Sequence, residues 1–338
     1  MLRKAKFFSD LASARTKMIS LRGQAYPATI DGKGKIPCLS IGTGMLMQRT
    51  FSKRFKDIFT LYTTDTYWIK KGKIPNPKSL TMKDIVDDIL ETAKQLDLKD
   101  YILVGNSCFG IVAIEAAKRQ DPRIKGVMAV ACAPRWNAEG NAFTKKHFEE
   151  TASPERLESH KKRWAAFEKI RQPNESEVSL NFYEADGAKY WADYNVSREK
   201  LEELWHDVEA EDDIMNHFFG HLLPHFDLAP GMDKVEVPVV VSGGKYDYDS
   251  LPLLQWDNFP KPKKFTMIDC GEAGHWPHYE NSEVFDRESF KWLKANKNFG
   301  YQVQYDENEG NRGFFDNTQL SAGSAQDEST KSNRKIIS

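Results

Sequence analysis

Short apolar runs alternate with helical patterns along most of the chain. Helical spacing follows Thr81, which with Asp84 three residues later is typical of a helix N-cap, and it recurs at 111–118 and 282–294. The apolar runs, which predict buried strands, lie at 37–42, 59–65, 101–104, 126–132, 237–243 and 264–269. This alternation predicts an α/β fold with a mostly parallel central sheet and helices on both faces.

The pattern changes between about residues 135 and 230. This stretch is helical, charged and aromatic, contains four tryptophans, and shows no clear strand. The simplest interpretation is one sheet domain with a helical cap inserted into it. The predicted parts are a basic N-terminal segment at 1–26, a core at 27–134 and 231–300, a cap at 135–230 and a C-terminal tail at 301–338. Beyond about residue 316 the tail has few apolar residues, and we expect it to be disordered.

Charge and composition narrow the classes of function. The 338 residues include 48 Lys and Arg against 49 Asp and Glu, so no overall field favours nucleic acid or an anionic membrane. No apolar run approaches the roughly 20 residues that span a bilayer. The basic N-terminus lacks a secretory apolar core, so we expect a cytoplasmic protein, with organellar targeting as the alternative. The four cysteines are expected to be buried free thiols.

A candidate nucleophile follows the predicted strand at 101–104. The segment Gly105-Asn-Ser-Cys-Phe-Gly110 leads directly into a helical pattern. A strand–turn–helix of this kind can hold Ser107 in a sharp, strained bend, with its hydroxyl above the sheet. Gly105 supplies a small residue two positions before the serine, whereas Phe109 stands two positions after it, where a small residue is usual. Taken alone, the segment also fits an ordinary turn with a surface serine.

Two further segments carry a candidate acid and a candidate base. Asp247 ends Gly243-Gly-Lys-Tyr-Asp247 after one predicted strand, and His275 lies in Gly274-His-Trp-Pro-His-Tyr-Glu280 after the next. Carboxyl ends of parallel strands are where α/β sheets place their sites. Asp249 is the rival acid. His278 is the rival histidine, but Pro277 before it and the final helix nearby favour a packing role.

The three segments together resemble the α/β-hydrolase superfamily over about residues 27–297. Their order along the chain, serine then aspartate then histidine, is the order of that fold. The resemblance is greatest to the capped branch that includes proline iminopeptidases, whose elbow reads Gly-x-Ser-x-Gly-Gly. It implies the α/β-hydrolase fold and a catalytic triad of Ser107, Asp247 and His275, acting without a metal or an organic cofactor.

The resemblance also implies an oxyanion hole, built from the N–H of Cys108 and a backbone N–H near Gly44. Here the chain departs from the family, because the stretch 40–45 lacks the usual His-Gly, and 65–68 lacks the usual Asp-x-x-Gly. Proline iminopeptidases bind a free amine with cap carboxylates. The acidic candidates here fit a solvated helix face better, and they are Glu209, Glu211, Asp212 and Asp213.

The predicted function is hydrolysis of an ester, lactone or amide bond by acyl-enzyme formation on Ser107. The substrate is expected to be a small molecule or a short peptide, and Phe109 is expected to line its pocket. Two alternatives stay open: a hydrolase that uses Cys108 as nucleophile, and a non-catalytic ligand-binding protein on the same fold. The sequence does not predict the oligomeric state.

Overall fold

An eight-stranded sheet organises the molecule. The computed structural model describes residues 14–64, 76–169, 178–206, 208 and 212–296. The strands are β1 Arg15–Leu21, β2 Gln24–Asp31, β3 Ile36–Ile41, β4 Phe59–Thr64, β5 Tyr101–Asn106, β6 Ile124–Val130, β7 Val239–Gly243 and β8 Phe265–Asp269. Their order across the sheet is β1-β2-β4-β3-β5-β6-β7-β8, antiparallel at β1–β2 and β2–β4 and parallel elsewhere. The predicted fold class is confirmed.

Helices connect the parallel strands. Outside the predicted cap they are α1 Gly44–Thr50, α2 Lys53–Ile58, α3 Met82–Gln95, α4 Cys108–Ala117, α12 Pro252–Gln255, α13 Pro277–Glu280 and α14 Ser282–Ala295. Between β6 and β7 they are α5 Ala138–Thr151, α6 Pro154–Lys169, α7 Val178–Ala185, α8 Gly187–Tyr190, α9 Arg198–Trp205, α10 Asp212–His217 and α11 Leu223–His225. The capping box predicted at α3 is present, because Thr81 and Asp84 exchange backbone-to-side-chain hydrogen bonds.

Both faces of the central strands are buried. Neighbouring side chains on a strand point to opposite faces of the sheet, so residues i and i+2 share a face. On β5, Leu103 packs in the cluster that contains the apolar faces of α3 and α4, while Ile102 and Val104 on the opposite face are also fully buried. This two-sided burial explains why the strands read as continuous apolar runs in the sequence.

The sheet begins before the predicted core boundary at residue 27. Strands β1 and β2 form an antiparallel hairpin, and β2 pairs with β4, so part of the predicted basic segment belongs to the sheet. Neither strand was predicted. Most of β1 is exposed at the sheet edge and carries polar residues, and Pro27 interrupts β2. Proline removes a ladder hydrogen bond and usually argues against a strand, so local pattern favoured a loop.

The described residues between β6 and β7 contain helices and no strand. They all belong to the first of two units of the chain, residues 1–299. The second unit, residues 300–338, and with it the predicted tail at 301–338, lies outside the described residues. The predicted departure at 65–68 also lies outside them. Within the part of the chain that the structure describes, no helix is both long and apolar enough to cross a bilayer.

Candidate active site

Ser107 lies in the turn between β5 and α4. Its backbone has φ 60° and ψ −134°, a conformation that residues other than glycine rarely adopt. A Cβ on Gly105 would lie 2.2 Å from the carbonyl oxygen of Phe109, so the bend needs glycine two residues before the serine. The predicted elbow is therefore present, and its tight approach involves the backbone of Phe109.

The parallel register brings the loops that carry the candidate residues to one edge of the sheet. Ile41 pairs with Gly105, Gly105 pairs with Ala129, and Ala129 pairs with Val241, so the ends of β3, β5, β6 and β7 are level. The side-chain amide of Asn106 donates to the carbonyl oxygens of Val130 at 3.3 Å and His275 at 3.2 Å. This amide ties the histidine loop directly to the residue that precedes Ser107.

Asp247 and His275 form a buried pair. His275 Nδ1 lies 3.0 Å from Asp247 Oδ1, and the two side chains are 2% and 0% exposed. The backbone N–H of Ser250 donates to the same Oδ1 at 3.0 Å, which holds the carboxylate in place. With Nδ1–H donated to the aspartate, Nε2 is left as the basic atom of the ring. Asp247, rather than Asp249, is thus the acid that contacts the histidine.

Electrostatics favour a protonatable His275. Burial opposes the charged imidazolium, but the charge and hydrogen bond of Asp247, with the charges of Asp249 and Glu280, outweigh it and raise the pKa of His275. An imidazole next to a carboxylate can accept a proton and hold it while a reaction proceeds. His278, in contrast, has its pKa lowered to about 3 by burial and by the nearby His275.

The two predicted oxyanion donors lie on adjacent turns. Cys108 is the first residue of α4, so its N–H has no acceptor within the helix. Gly44 is the first residue of α1, directly after the turn that ends β3, and β3 is the neighbour of β5 in the sheet. Helix N-termini present N–H groups and a partial positive charge, which suit a developing oxyanion.

The Phe109 ring covers the turn after β3. A Cβ on Gly42 would lie 2.8 Å from Phe109 Cδ2, and the ring is nearly parallel to that of Phe218, with centroids 6.1 Å apart. Phe218 belongs to the helical stretch between β6 and β7. The Phe109 side chain is partly buried between the turn after β3 and this helical stretch, so it does not force the elbow open.

All four cysteines are free and buried, as predicted. Burial, together with nearby Cys132 and Asp249, raises the pKa of the Cys108 thiol well above its usual value. A reactive cysteine needs a low pKa and an accessible sulfur, because the thiolate is the nucleophile. These surroundings disfavour Cys108 as the nucleophile.

The remaining candidates have surroundings different from those of the Asp247–His275 pair. His278 is fully buried, its Nε2 is 3.0 Å from Thr50 Oγ1, and its ring packs 4.6 Å from that of Phe51, which is the packing role expected for it. Asp213 is exposed on α10, in keeping with a solvated helix face. The side chains of the other three acidic cap candidates lie outside the described residues.

Several residues that support the site were not predicted from the sequence. Asn106 and Glu280 stand inside the two motifs that mark the nucleophile and the histidine, and their spacing could have indicated a supporting role. Tyr190 has no such signal: its ring meets the His275 ring edge-on at 4.9 Å, although it lies in the helical insertion 85 residues earlier in the chain.

Comparisons with known proteins agree with the fold described above. No protein-family model matches the chain. The AB hydrolase superfamily protein YclE of Bacillus subtilis strain 168 is 26% identical over 273 residues, which cover 78% of this chain and 93% of that protein. An alpha/beta fold family hydrolase from Bacillus anthracis Sterne has a TM-score of 0.62 at 15% identity, covering 83% and 99% of the two chains. Proline iminopeptidase of Mycobacterium smegmatis has a TM-score of 0.63 at 15% identity, covering 83% and 98%. The predicted resemblance is confirmed.

Proposed function

We propose that this chain, which has the α/β-hydrolase fold, is a serine hydrolase that forms an acyl-enzyme on Ser107. The observation that carries the proposal is the buried Asp247–His275 pair on loops beside a serine held at φ 60°. Nucleophilic catalysis at an acyl carbon uses a serine at a strained strand–helix turn together with a histidine that an aspartate orients.

The proposed mechanism uses groups of this chain. His275 Nε2 takes the proton of the Ser107 hydroxyl as its oxygen attacks the acyl carbon of an ester, lactone or amide. Backbone N–H groups at Cys108 and near Gly44 bind the oxyanion of the tetrahedral intermediate. His275 then gives its proton to the leaving group, and water, activated by the same imidazole, hydrolyses the acyl-enzyme.

The pH dependence follows from the raised pKa of His275. The base must be neutral to accept a proton, so activity is expected to fall as the pH drops through that pKa. We propose a small-molecule or short-peptide substrate, and we propose that Phe109 lines the acyl side of its pocket. That assignment is supported by the position of the ring between Gly42, in the turn after β3, and Phe218.

A fluorophosphonate probe, which reacts with activated serines, tests the proposal directly. Labelling of the wild type is expected, with loss of labelling in Ser107→Ala and retention in Cys108→Ala. Labelling that disappears in Cys108→Ala and persists in Ser107→Ala would assign the nucleophile to the cysteine. A folded wild type that takes up no probe and turns over neither p-nitrophenyl esters nor aminoacyl-naphthylamides would point to a non-catalytic binding protein.

A further inference from the structure

Glu280, at the end of α13, collects backbone N–H groups from two separate loops. Its Oε1 accepts from the N–H of Gly274 at 3.1 Å and of Trp276 at 3.2 Å, the two neighbours of His275. Its Oε2 accepts from the N–H of Ala192 at 2.8 Å, in the stretch after α8. One half-buried carboxylate therefore joins the histidine loop, residues 273–276, to residues 188–192. These five residues, which comprise the end of helix α8 and the two residues after it, are called the cap loop below.

Arg156 holds the other side of the cap loop. This buried residue of α6 donates to the carbonyl oxygens of Ala188 at 2.7 Å, Trp191 at 2.8 Å and Ala192 at 2.7 Å. Ala192 thus gives its carbonyl to the arginine and its N–H to Glu280. A guanidinium presents several donors in a fixed plane and a carboxylate several acceptor sites, so the two together fix the loop from both sides.

The two loops also touch directly. The N–H of His275 donates to the carbonyl oxygen of Tyr190 at 2.6 Å, and the Tyr190 ring packs edge-on against the imidazole. A Cβ on Gly274 would lie 2.3 Å from the same Tyr190 oxygen, so only glycine allows this close approach. The backbone around the histidine therefore rests on the cap loop.

We infer that Glu280 is a positioning residue for His275, and that with Arg156 it makes the cap loop and the histidine loop one structural unit. This inference rests on the proposed function, because it assigns to the helical insertion the task of holding the catalytic base. Glu280 touches neither the reacting atoms nor the imidazole nitrogens; it acts through the backbone on either side of the histidine.

Charge gives a second way to observe this role. The acidic groups that act on His275 are Asp247, Asp249 and Glu280, and the neighbouring His278 is neutral because its pKa is lowered. Glu280 is itself acted on by Lys200, while its partial burial raises its pKa. The Glu280 charge raises the pKa of His275, so its removal lowers that pKa and moves the acid limb of the activity profile to lower pH.

Glu280→Gln is the main test, because glutamine keeps the shape but offers one acceptor oxygen and turns an NH₂ group toward a backbone donor. The rate of fluorophosphonate labelling is expected to fall on the order of 10²-fold, the size of effect that a small misplacement of a catalytic group produces. The fall of the labelling rate on the acid side of the pH profile is expected to move to lower pH in this variant. Glu280→Asp, which keeps the charge, should retain the wild-type limb and recover part of the rate.

Glu283→Gln is the matched control, since Glu283 is exposed on the first turn of α14. It should match the wild type in rate, pH profile and melting temperature. If folded Glu280→Gln also matches the wild type in rate and acid limb, the positioning role is wrong. If Glu280→Gln does not fold, the comparison is made with Glu280→Asp, and full wild-type behaviour in that variant, in labelling and in hydrogen exchange, overturns the inference.

Amide hydrogen exchange tests the coupling without any reaction. Faster exchange is expected in peptides covering both 188–192 and 273–276 in Glu280→Gln, and in Arg156→Lys, which keeps the charge but loses the planar fork. Faster exchange in the histidine loop alone would show that the two loops are independent. A wild type that the fluorophosphonate does not label would refute the proposed serine chemistry. Unchanged exchange in both loops of the two variants would instead refute the coupling of the loops by Glu280 and Arg156.

Discussion

Replacing Asp249 by asparagine is expected to stabilise the protein at neutral pH and to leave its stability almost unchanged in acid. Asp249 follows the acid of the proposed triad by two residues. Its Oδ2 is shielded from solvent and has no hydrogen-bond partner among the described residues, while the Tyr190 hydroxyl donates a hydrogen bond to the carboxylate. Asparagine keeps an acceptor for that hydroxyl and removes the charge.

The magnitude follows from the pKa of this carboxyl. Burial raises the pKa of Asp249 from 3.8 to about 6, with further raising by the charges of Asp247 and Asp186 and partial opposition from His275. Well below pH 3.8 the group is protonated in both the folded and the unfolded state, so its effect on stability vanishes. As the pH rises from 4 to above 6, Asp249 ionises more readily in the unfolded chain than in the folded one. This difference favours the unfolded state and lowers the free energy of unfolding by about 3 kcal/mol at neutral pH.

Urea denaturation at pH 4, 5.5 and 7.5 measures this directly. Asp249→Asn should raise the free energy of unfolding by up to about 3 kcal/mol at pH 7.5, by less at pH 5.5 and by little at pH 4. Asp257→Asn, at an exposed position, is the matched control and should show no such trend. A variant that is destabilised, or stabilised equally at all three pH values, would refute the reasoning.

Three further predictions concern the site and the tail. Asp247→Asn should lower turnover by about 10⁴-fold, because the histidine loses the acceptor that fixes its tautomer, and circular dichroism should show that the fold is retained. A mild effect in this variant and a severe loss of turnover in Asp249→Asn would reverse the assignment of the acid. Phe109→Ala should lower the free energy of unfolding by about 3 kcal/mol, the low end for a phenylalanine because the ring is only partly buried. The variant should also favour bulkier acyl groups in an ester panel, and an unchanged substrate profile would place the ring outside the pocket. Truncation after residue 316 should leave the melting temperature within about a degree, because the removed segment has few apolar residues to bury; a larger drop would show that it docks.

The sequence alone determined the central sheet and the elbow. Strands buried on both faces are apolar at most positions, so β5 and β7 are visible as nearly continuous apolar runs. The constraints on the elbow are equally local, because a serine at positive φ next to a tight approach requires glycine nearby. The order of serine, aspartate and histidine, each after a predicted strand, then indicated which edge of the sheet holds the candidate site.

Edge strands were beyond local pattern. The side chains of β1 are mostly exposed, and its strand conformation comes from pairing with β2, whose Pro27 argues locally for a loop. These segments are strands because their backbones hydrogen-bond to neighbouring strands, and β4, the partner of β2, comes beside it only in the folded sheet.

The support around His275 was decided by tertiary structure alone. Glu280 contacts Ala192 across 88 residues of sequence, and Tyr190 reaches the imidazole from the helical insertion. Backbone N–H and carbonyl groups make these contacts, and every residue other than proline carries both, so no residue type signals them. A sequence shows which side chains could do the chemistry; only the fold determines which distant backbone holds them in place.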